Sequence, residues 1–458
     1  MALKSYKEEF KERFDLIVVG GGLAGICAAI SAARQKKKVV LVQDRPVLGG
    51  NSSSEIRVPP GGAGGRGGWA RETGIIEEIM VNDRARNHDP YLEGTMNSMW
   101  DLNLYEFVRA EKNITLYLNS IVTAVEMKDK GTIKSVAGIQ SISEKRFKFY
   151  GKYFIDCTGD GVVGALAGAE FRYGREARKE FGESLAPLKA DNKTQGNSLM
   201  YRAYDVGYPV KFTPPSWYED YKKEGSLYKR SVEIFPRKIN NRTEYCGHWW
   251  IEVGVPFLTI EDNDKIGKEI IRHQIGVWDY IKNSGKYDAD NFVLEWMGML
   301  PGKRESRRLV GDYILKEQDI VEQKKFSDRI AFGGWFLDVH TMGGILAKDE
   351  PPEGLAGDED LAPKLKTSLY SIPFKSIYSK NIENLLMAGR NISVTHAALG
   401  STRVMLTCAL LGQAAGTAAS MCLTKKASPR ILAEKHIYQL QQQLVKDDCF
   451  IYDISTVQ

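Results

Sequence analysis

The chain has 458 residues, 63 Lys and Arg against 58 Asp and Glu, a net charge of +5 and 43% hydrophobic residues. That length and apolar content imply two or more domains with substantial cores, and so mild a charge argues against a nucleic-acid surface. The six cysteines include no C-x-x-C, so no zinc ribbon, reductase dithiol or other metal site is expected, and no apolar run is expected to be long enough to cross a bilayer.

The first fourteen residues are charged and amphipathic, without the apolar core of a signal peptide. The chain as written is therefore expected in the cytoplasm, with export the alternative if a leader has been removed. Residues 15–19 form an apolar run suited to a buried parallel strand. The run breaks at Gly20, Gly22 and Gly25, spaced G-x-G-x-x-G, before an Ala-rich helical pattern and a second apolar run at 39–42. This order is that of one half of a dinucleotide-binding fold. The first glycine permits a tight turn, the second lets backbone approach a pyrophosphate, and the third lets the helix pack on the strand while its free N–H groups face the anion. Where a carboxylate commonly binds the ribose, the second strand ends in Gln43, followed by Asp44 and Arg45. Asp44 can reach in from one residue later and Arg45 would suit a 2′-phosphate, but Gln43, by its position, is expected to meet the adenosine ribose.

Residues 59–68, PPGGAGGRGG, read either as a flexible connector or as a segment closing over a planar cofactor; the second is favoured because bare backbone permits close approach. Amphipathic helices are expected at 69–87 and 97–111, then strands at 114–119, 121–127, 133–141 and 147–155 as an antiparallel meander. From 197 to 365 the texture changes to aromatics, prolines and charges, which reads as an inserted α+β substrate or cap domain. It divides a nucleotide-binding domain into residues 1–196 and 366–458. An apolar strand at 384–387 ends in Ala388, Gly389 and Arg390. After a Gly400–Ser401 turn a helix rich in small residues is expected over 402–422, with Ser401 or Thr402 as its N-cap. A surface helix is expected at 430–446. Cys27, Cys157 and Cys408 fall in apolar elements and are expected to be inert.

The segment at 381–419, with the Leu48–Ser54 loop, the FIDCTGDG run at 154–161 and the PGKRESRR run at 301–308, resembles the FAD-dependent oxidoreductase family, a relative of the fumarate reductase and succinate dehydrogenase flavoproteins. The resemblance implies an α/β chain of the glutathione-reductase-like class: a Rossmann-type domain with a parallel sheet and an antiparallel meander. It implies one FAD per chain, held non-covalently since the family's covalent-flavin histidine is not evident. By the same resemblance the cofactor contacts include Gly20, Gly22, Leu23, Ala24, Gly25, Gln43, Asp44, Arg45, Gly49, Gly50, Asn51 and Ser52. Val122 falls where relatives offer backbone to the adenine. Thr158, Gly159, Gly389, Arg390, Ser401, Thr402 and Val404 complete the set, and the positive end of the 402–422 helix would face the flavin N1–C2=O edge.

Such an enzyme exchanges hydride at flavin N5 while the protein orients charge and moves a proton. Two histidines beside cofactor segments are candidate bases: His340, two residues from Asp338, and His396, just before the flavin-facing helix. Arg403 can hold the flavin edge, bind an anionic or hydroxylated substrate, or pair with a carboxylate. Arg304, Glu305, Arg307 and Arg308 read as an interdomain ion network rather than as catalytic groups, and Glu55 and Arg57 can reach the flavin's other side. The expected reaction is dehydrogenation of a small sugar, polyol or hydroxy acid. The alternatives are reduction of an activated carbon–carbon double bond, a non-catalytic FAD sensor, and a plain NAD dehydrogenase, which would be colourless. The expected partners are the substrate and a separate electron donor or acceptor, with a homo-oligomer left open.

Overall fold

A computed structural model describes residues 9–64, 70–88, 96–223, 226–227, 230, 237–239, 242–352, 354 and 367–451. Its centre is a five-stranded, wholly parallel sheet in the order Leu385–Met387, Tyr153–Asp156, Leu16–Val19, Val39–Val42 and Ile114–Tyr117. Three of these strands, Leu16–Val19, Val39–Val42 and Leu385–Met387, are continuous buried apolar runs, as burial on both faces of a parallel sheet requires. The chain leaves Leu16–Val19 toward one neighbour and is joined on the other side by Tyr153–Asp156. The carboxyl ends therefore open a crevice at a topological switch point, where such sheets bind ligands.

The expected four-strand meander is corrected. Only Ser120–Asp129, Thr132–Gln140 and Lys145–Tyr150 run antiparallel, and the charged Glu9–Arg13 pairs parallel to the last of them. Ile114–Tyr117 belongs to the parallel sheet. The run expected at 147–155 is two strands that part at Gly151, one in each sheet, where a Cβ would meet Ile17 Cδ1 at 2.8 Å. Glu9–Arg13 and Leu16–Val19 make the same transfer beside it, with Phe14 N donating to Tyr150 O at 2.9 Å.

Helix Leu23–Arg34 packs along Met405–Lys425. Backbones approach so closely that a Cβ at Gly412 or Gly416 would lie 2.0 Å from Ala24 O or 2.2 Å from Ala28 O. Ser31 and Thr417 share a hydrogen bond across the seam at 2.7 Å. The density of small residues is thus a packing requirement. Met405–Lys425 is also long and apolar enough to span a bilayer, which corrects the expectation that no run is; 83% of its apolar window is buried inside the protein. The helix expected over 402–422 is in fact two, His396–Thr402 and Met405–Lys425, broken where Val404 turns extended. Amphipathic helices occur at Ile75–Arg86 and Ser98–Ala110, the second capped by the Asn97 side chain on Met99 N and Trp100 N. Part of the glycine-rich 59–68 run and Trp69 lie outside the described residues.

A second apolar core, with Leu199, Tyr201, Trp250, Ile270, Trp278 and Ile345 among its members, lies under an antiparallel sheet that includes Tyr201–Asp205 and Phe292–Met297 and under helix Asn263–Asn283. Leu309, Ile320, Phe332 and Leu337 nevertheless pack in the first core, because Arg308–Leu309 pairs with Phe171–Arg172 and Arg329–Gly333 with Tyr370–Pro373. The 197–365 stretch therefore contributes to both cores.

Candidate active site

A cavity of about 1200 Å³ begins at the carboxyl ends of the parallel strands and runs to the edge of the second core. That is large for a drug-sized ligand and suits an extended dinucleotide with a substrate beside it. Gly20, Gly22, Leu23, Ala24, Gln43, Asp44, Arg45, Gly49, Gly50 and Asn51 line it, as do Val122, Thr158, Gly159, Gly389, Arg390 and Val404. Gly25, Ser52, Ser401 and Thr402 do not.

The fingerprint glycines divide the work. Gly20 has φ +103° and lies so close to Cys157 that a Cβ would come within 2.2 Å of its carbonyl oxygen. A Cβ on Gly25 would collide with Gly20 O at 1.8 Å, so Gly25 serves helix packing away from the cavity. At Gly22 a Cβ would meet only Gly50 Cα, 3.9 Å away, and would otherwise project into the cavity. This is the bare backbone that a pyrophosphate needs. Gly49 pairs with Gly22 across the loop, and Ser52, fully buried, holds that loop by donating to Gly49 O at 2.8 Å while accepting from Trp100 Nε1 at 3.1 Å.

Gln43 lines the cavity and is also tied to the loop. Its side-chain oxygen accepts from Gly21 N at 2.7 Å and its amide donates to Val47 O at 3.2 Å, so it braces the glycine loop. Asp44, beside it on the wall, has a 61% exposed side chain with a carboxylate 3.9 Å from Arg45 Nε. Glu55 pairs with Arg45, and the Arg57 guanidinium stacks over Trp296; neither lines the cavity, contrary to expectation.

Thr158 and Gly159 sit on a turn tied down by buried Asp156, which accepts from Thr158 Oγ1 at 2.7 Å and from Gly164 N at 2.9 Å. The next residue, Asp160, bonds Lys303 Nζ at 2.7 Å, Arg390 Nη2 at 2.8 Å and Ser306 Oγ at 2.8 Å. Burial pushes its carboxyl up, but the two cations prevail and hold it well below the usual range. Burial pushes the Cys408 thiol up to about 12, which makes it unreactive at neutral pH.

Helix Met405–Lys425 starts on the cavity wall with Val404 as N-cap and no side-chain cap. Ser401 and Thr402 are not its caps. They are fully buried in the preceding short helix, and Ser401 bonds Trp335 O and the Tyr370 hydroxyl. Of the first-turn N–H groups, Leu406 N donates to Gly61 O at 2.9 Å, which draws the glycine-rich loop onto the helix. An uncapped helix N-terminus, a Gly22 cradle open to the cavity and an Arg403 Nε buried without a hydrogen-bond partner among the described residues together fit an FAD with its anionic groups and its flavin carbonyl edge.

His396 and His340 part company. His396 lies off the cavity. Its Nδ1 is 2.9 Å from Glu305 Oε1, its backbone N donates to Glu176 Oε2 at 2.9 Å, and Arg308 joins the same acids. Burial raises the Glu305 carboxyl, yet His396 and Arg308 hold it low. Glu305 and Arg308 thus form the internal ion network that their spacing suggests, with His396 as a member.

His340 lines the cavity, along with Asp338, Arg304 and Arg403. Its Nδ1 lies 2.7 Å from Glu252 Oε2 and its Nε2 3.1 Å from Asp338 Oδ1. Arg304 Nη1 is 3.1 Å from the same Glu252 oxygen, and Arg403 Nη2 donates to Asp338 Oδ2 at 2.9 Å. The result is an alternating chain, Arg304–Glu252–His340–Asp338–Arg403, with Trp249 edge-on to the imidazole at 4.8 Å. Burial alone lowers an imidazole pKa, but Asp338 and Glu252 together raise that of His340, and both acids are held low in return. Glu252 lies in no segment that the sequence singled out, whereas Asp160 falls within the FIDCTGDG run and Lys303 within the PGKRESRR run without either being expected in the site. Asp160 also follows the Thr158–Gly159 turn directly, and Lys303 precedes Arg304.

Residues 15–444 match the family model described as FAD dependent oxidoreductase. No curated protein matches. Among solved structures, a geranylgeranyl bacteriochlorophyll reductase-like protein from Thermoplasma acidophilum is 14% identical with a TM-score of 0.44, over 96% of this chain and 87% of its own. The p-nitrophenol 4-monooxygenase PnpA from Pseudomonas putida DLL-E4 is 11% identical with a TM-score of 0.42, over 95% and 86%. The myxobacterial chondrochloren halogenase CndH is 10% identical with a TM-score of 0.44, over 95% and 80%. The family match places the chain in the general FAD-dependent oxidoreductase class.

Proposed function

The chain belongs to the FAD-dependent oxidoreductase family, and on that premise we propose that it reduces an activated carbon–carbon double bond in a small polar substrate bearing a carboxylate or carbonyl. The observation that carries this reading is His340, set on the cavity wall between two carboxylates that favour its protonated form. An imidazolium is a proton donor, so the neutral base expected for dehydrogenation is not the form this geometry favours.

When bound, non-covalently in this reading, FAD supplies a two-electron carrier that takes or gives hydride at N5. Arg403 holds the substrate oxygen. Its Nη2 is fixed on Asp338, and the residue lines the cavity with hydrogen-bond donors to spare. A carbonyl or carboxylate so held draws electron density from the adjacent double bond. His340 delivers the proton that completes the reduction at the carbon next to that group, and Trp335, on the same wall, helps to exclude water.

A second reading, dehydrogenation of a sugar, polyol or hydroxy acid, draws support from the aromatic lining: Trp249 and Trp335 present ring surface suited to a sugar. The direction of the flavin colour change separates the two. FAD-loaded protein, photoreduced without oxygen, is mixed with a panel of enoates and enones; oxidised protein is mixed with sugars, polyols and hydroxy acids. Reoxidation by carboxylate-bearing enoates supports the first reading. Bleaching by sugars or polyols, with no reoxidation by any enoate, transfers the assignment to the second.

A further inference from the structure

We infer that Glu252 is a positioning residue which fixes His340 as a doubly protonated cation with its Nε2 edge toward the substrate. The inference rests on the reading of His340 as proton donor, and it stands on hydrogen-bond chemistry. An ionised carboxylate only accepts, so an imidazole with both nitrogens on carboxylates must donate from both. Glu252 faces Nδ1 at 2.7 Å and Asp338 faces Nε2 at 3.1 Å.

The two acids are not equivalent. Glu252 is 2% exposed and lies behind the cavity wall, whereas Asp338 lies on it. Glu252 is itself anchored: Oε1 accepts from Gly196 N at 3.1 Å, Oε2 meets Arg304 at 3.1 Å, and its backbone accepts from Ile345 N at 2.7 Å. The shorter bond, to the better-anchored acid, fixes the ring from behind. The longer bond, to the acid on the wall, is the one that opens when a substrate atom takes the Nε2 proton. Among the described residues, the charged groups facing the ring belong to this chain of residues: Asp338 from its own segment, Glu252 from strand Glu252–Val253, Arg304 from the turn after Gly302–Lys303, and Arg403 beyond Asp338, with the uncharged Trp249 ring also against the imidazole. Three cations face two anions, so this chain of five residues carries one net positive charge while His340 is protonated.

The test uses FAD-loaded full-length protein with ¹⁵N-labelled histidine, the His340 resonances being assigned by their loss in His340→Gln. In the wild type at pH 7 both ring nitrogens are expected to be protonated. A neutral ring with one protonated nitrogen at that pH overturns the proposal without recourse to any variant. In Glu252→Gln, which preserves size and the Gly196 contact, the His340 midpoint is expected to fall by about one pH unit or more, as loss of one adjacent charge implies. Glu252→Asp restores part of that fall. An unmoved midpoint in a folded, FAD-replete Glu252→Gln protein also overturns it. With a turnover substrate in hand, the pH profile of flavin reoxidation moves by the same amount; a profile that stays put while the midpoint moves removes His340 as proton donor but leaves Glu252 in control of its charge.

Discussion

Two stretches of the same cavity wall are built on opposite principles. At the Gly20–Gly25 turn the wall is backbone stripped of side chains, so that a ligand touches peptide N–H groups directly. At the His340 chain it is five charged side chains whose Coulomb balance fixes one imidazole. The first stretch is local, with strand, turn and helix following one another within twenty residues of chain. The second gathers Glu252, Arg304, Asp338, His340 and Arg403 from four separate segments. The comparison teaches that one fails by being filled and the other by losing charge, and that substitutions should separate cofactor content from chemistry.

The largest effect is expected at Gly22. In Gly22→Val the new side chain enters the space meant for pyrophosphate, so folded protein should be purified nearly free of flavin. Full yellow occupancy, read from absorbance and from FAD released by acid, would falsify the phosphate-loop assignment. Release by acid also tests whether the flavin is non-covalent.

At Arg403 the comparison predicts the reverse pattern. Arg403→Ala should keep its FAD but slow substrate-driven flavin oxidation by about 10²-fold, the scale of losing one aimed donor. Stopped-flow absorbance checks this, and equal rates in variant and wild type return Arg403 to a purely structural role beside Asp338.

His340→Gln tests the charge chain through stability. Because the folded pKa of His340 is raised above the ordinary 6.5, its contribution is fully present below pH 6.5 and is lost as pH rises through the folded value. The difference in melting temperature between wild type and variant should therefore be greatest near pH 6 and shrink toward alkaline pH. Breaking a buried pair typically costs about 3–5 kcal/mol, which sets the upper range at low pH. A gap independent of pH would mean that the ring is neutral in the folded protein.

The smallest effect on chemistry belongs to His396. His396→Gln removes a partner of Glu305 without touching the cavity, so the protein should melt earlier while its flavin reacts within about twofold of wild type, well under the 10²-fold scale of a removed acid or base. A large loss of rate at unchanged FAD content would bring His396 back to the reaction.

What the chain determined by itself is the dinucleotide half: the apolar run at 15–19, the G-x-G-x-x-G spacing, the strand at 39–42 and the glycine at 389. The physical reason is range. A tight turn, a close backbone approach and the N-terminus of a helix are consequences of neighbours in sequence, and residue type alone reveals them. Small residues in 405–425 foretold close packing for the same reason, though not the break at Val404, just after a short helix whose Ser401 is bonded to Trp335 and Tyr370. The sheet assignment of 114–117 and the division at Gly151 depended on which sheet offers a pairing edge, and a strand's own pattern does not carry that information. Only the tertiary structure separated two histidines that looked alike in sequence, one on the cavity wall and one off it, and only it laid the Gln43 side chain against Gly21 N. A histidine's role is set by what stands within a few ångströms of its two nitrogens, and Glu252, 88 residues from His340 along the chain, enters that shell only when the second core folds against the first.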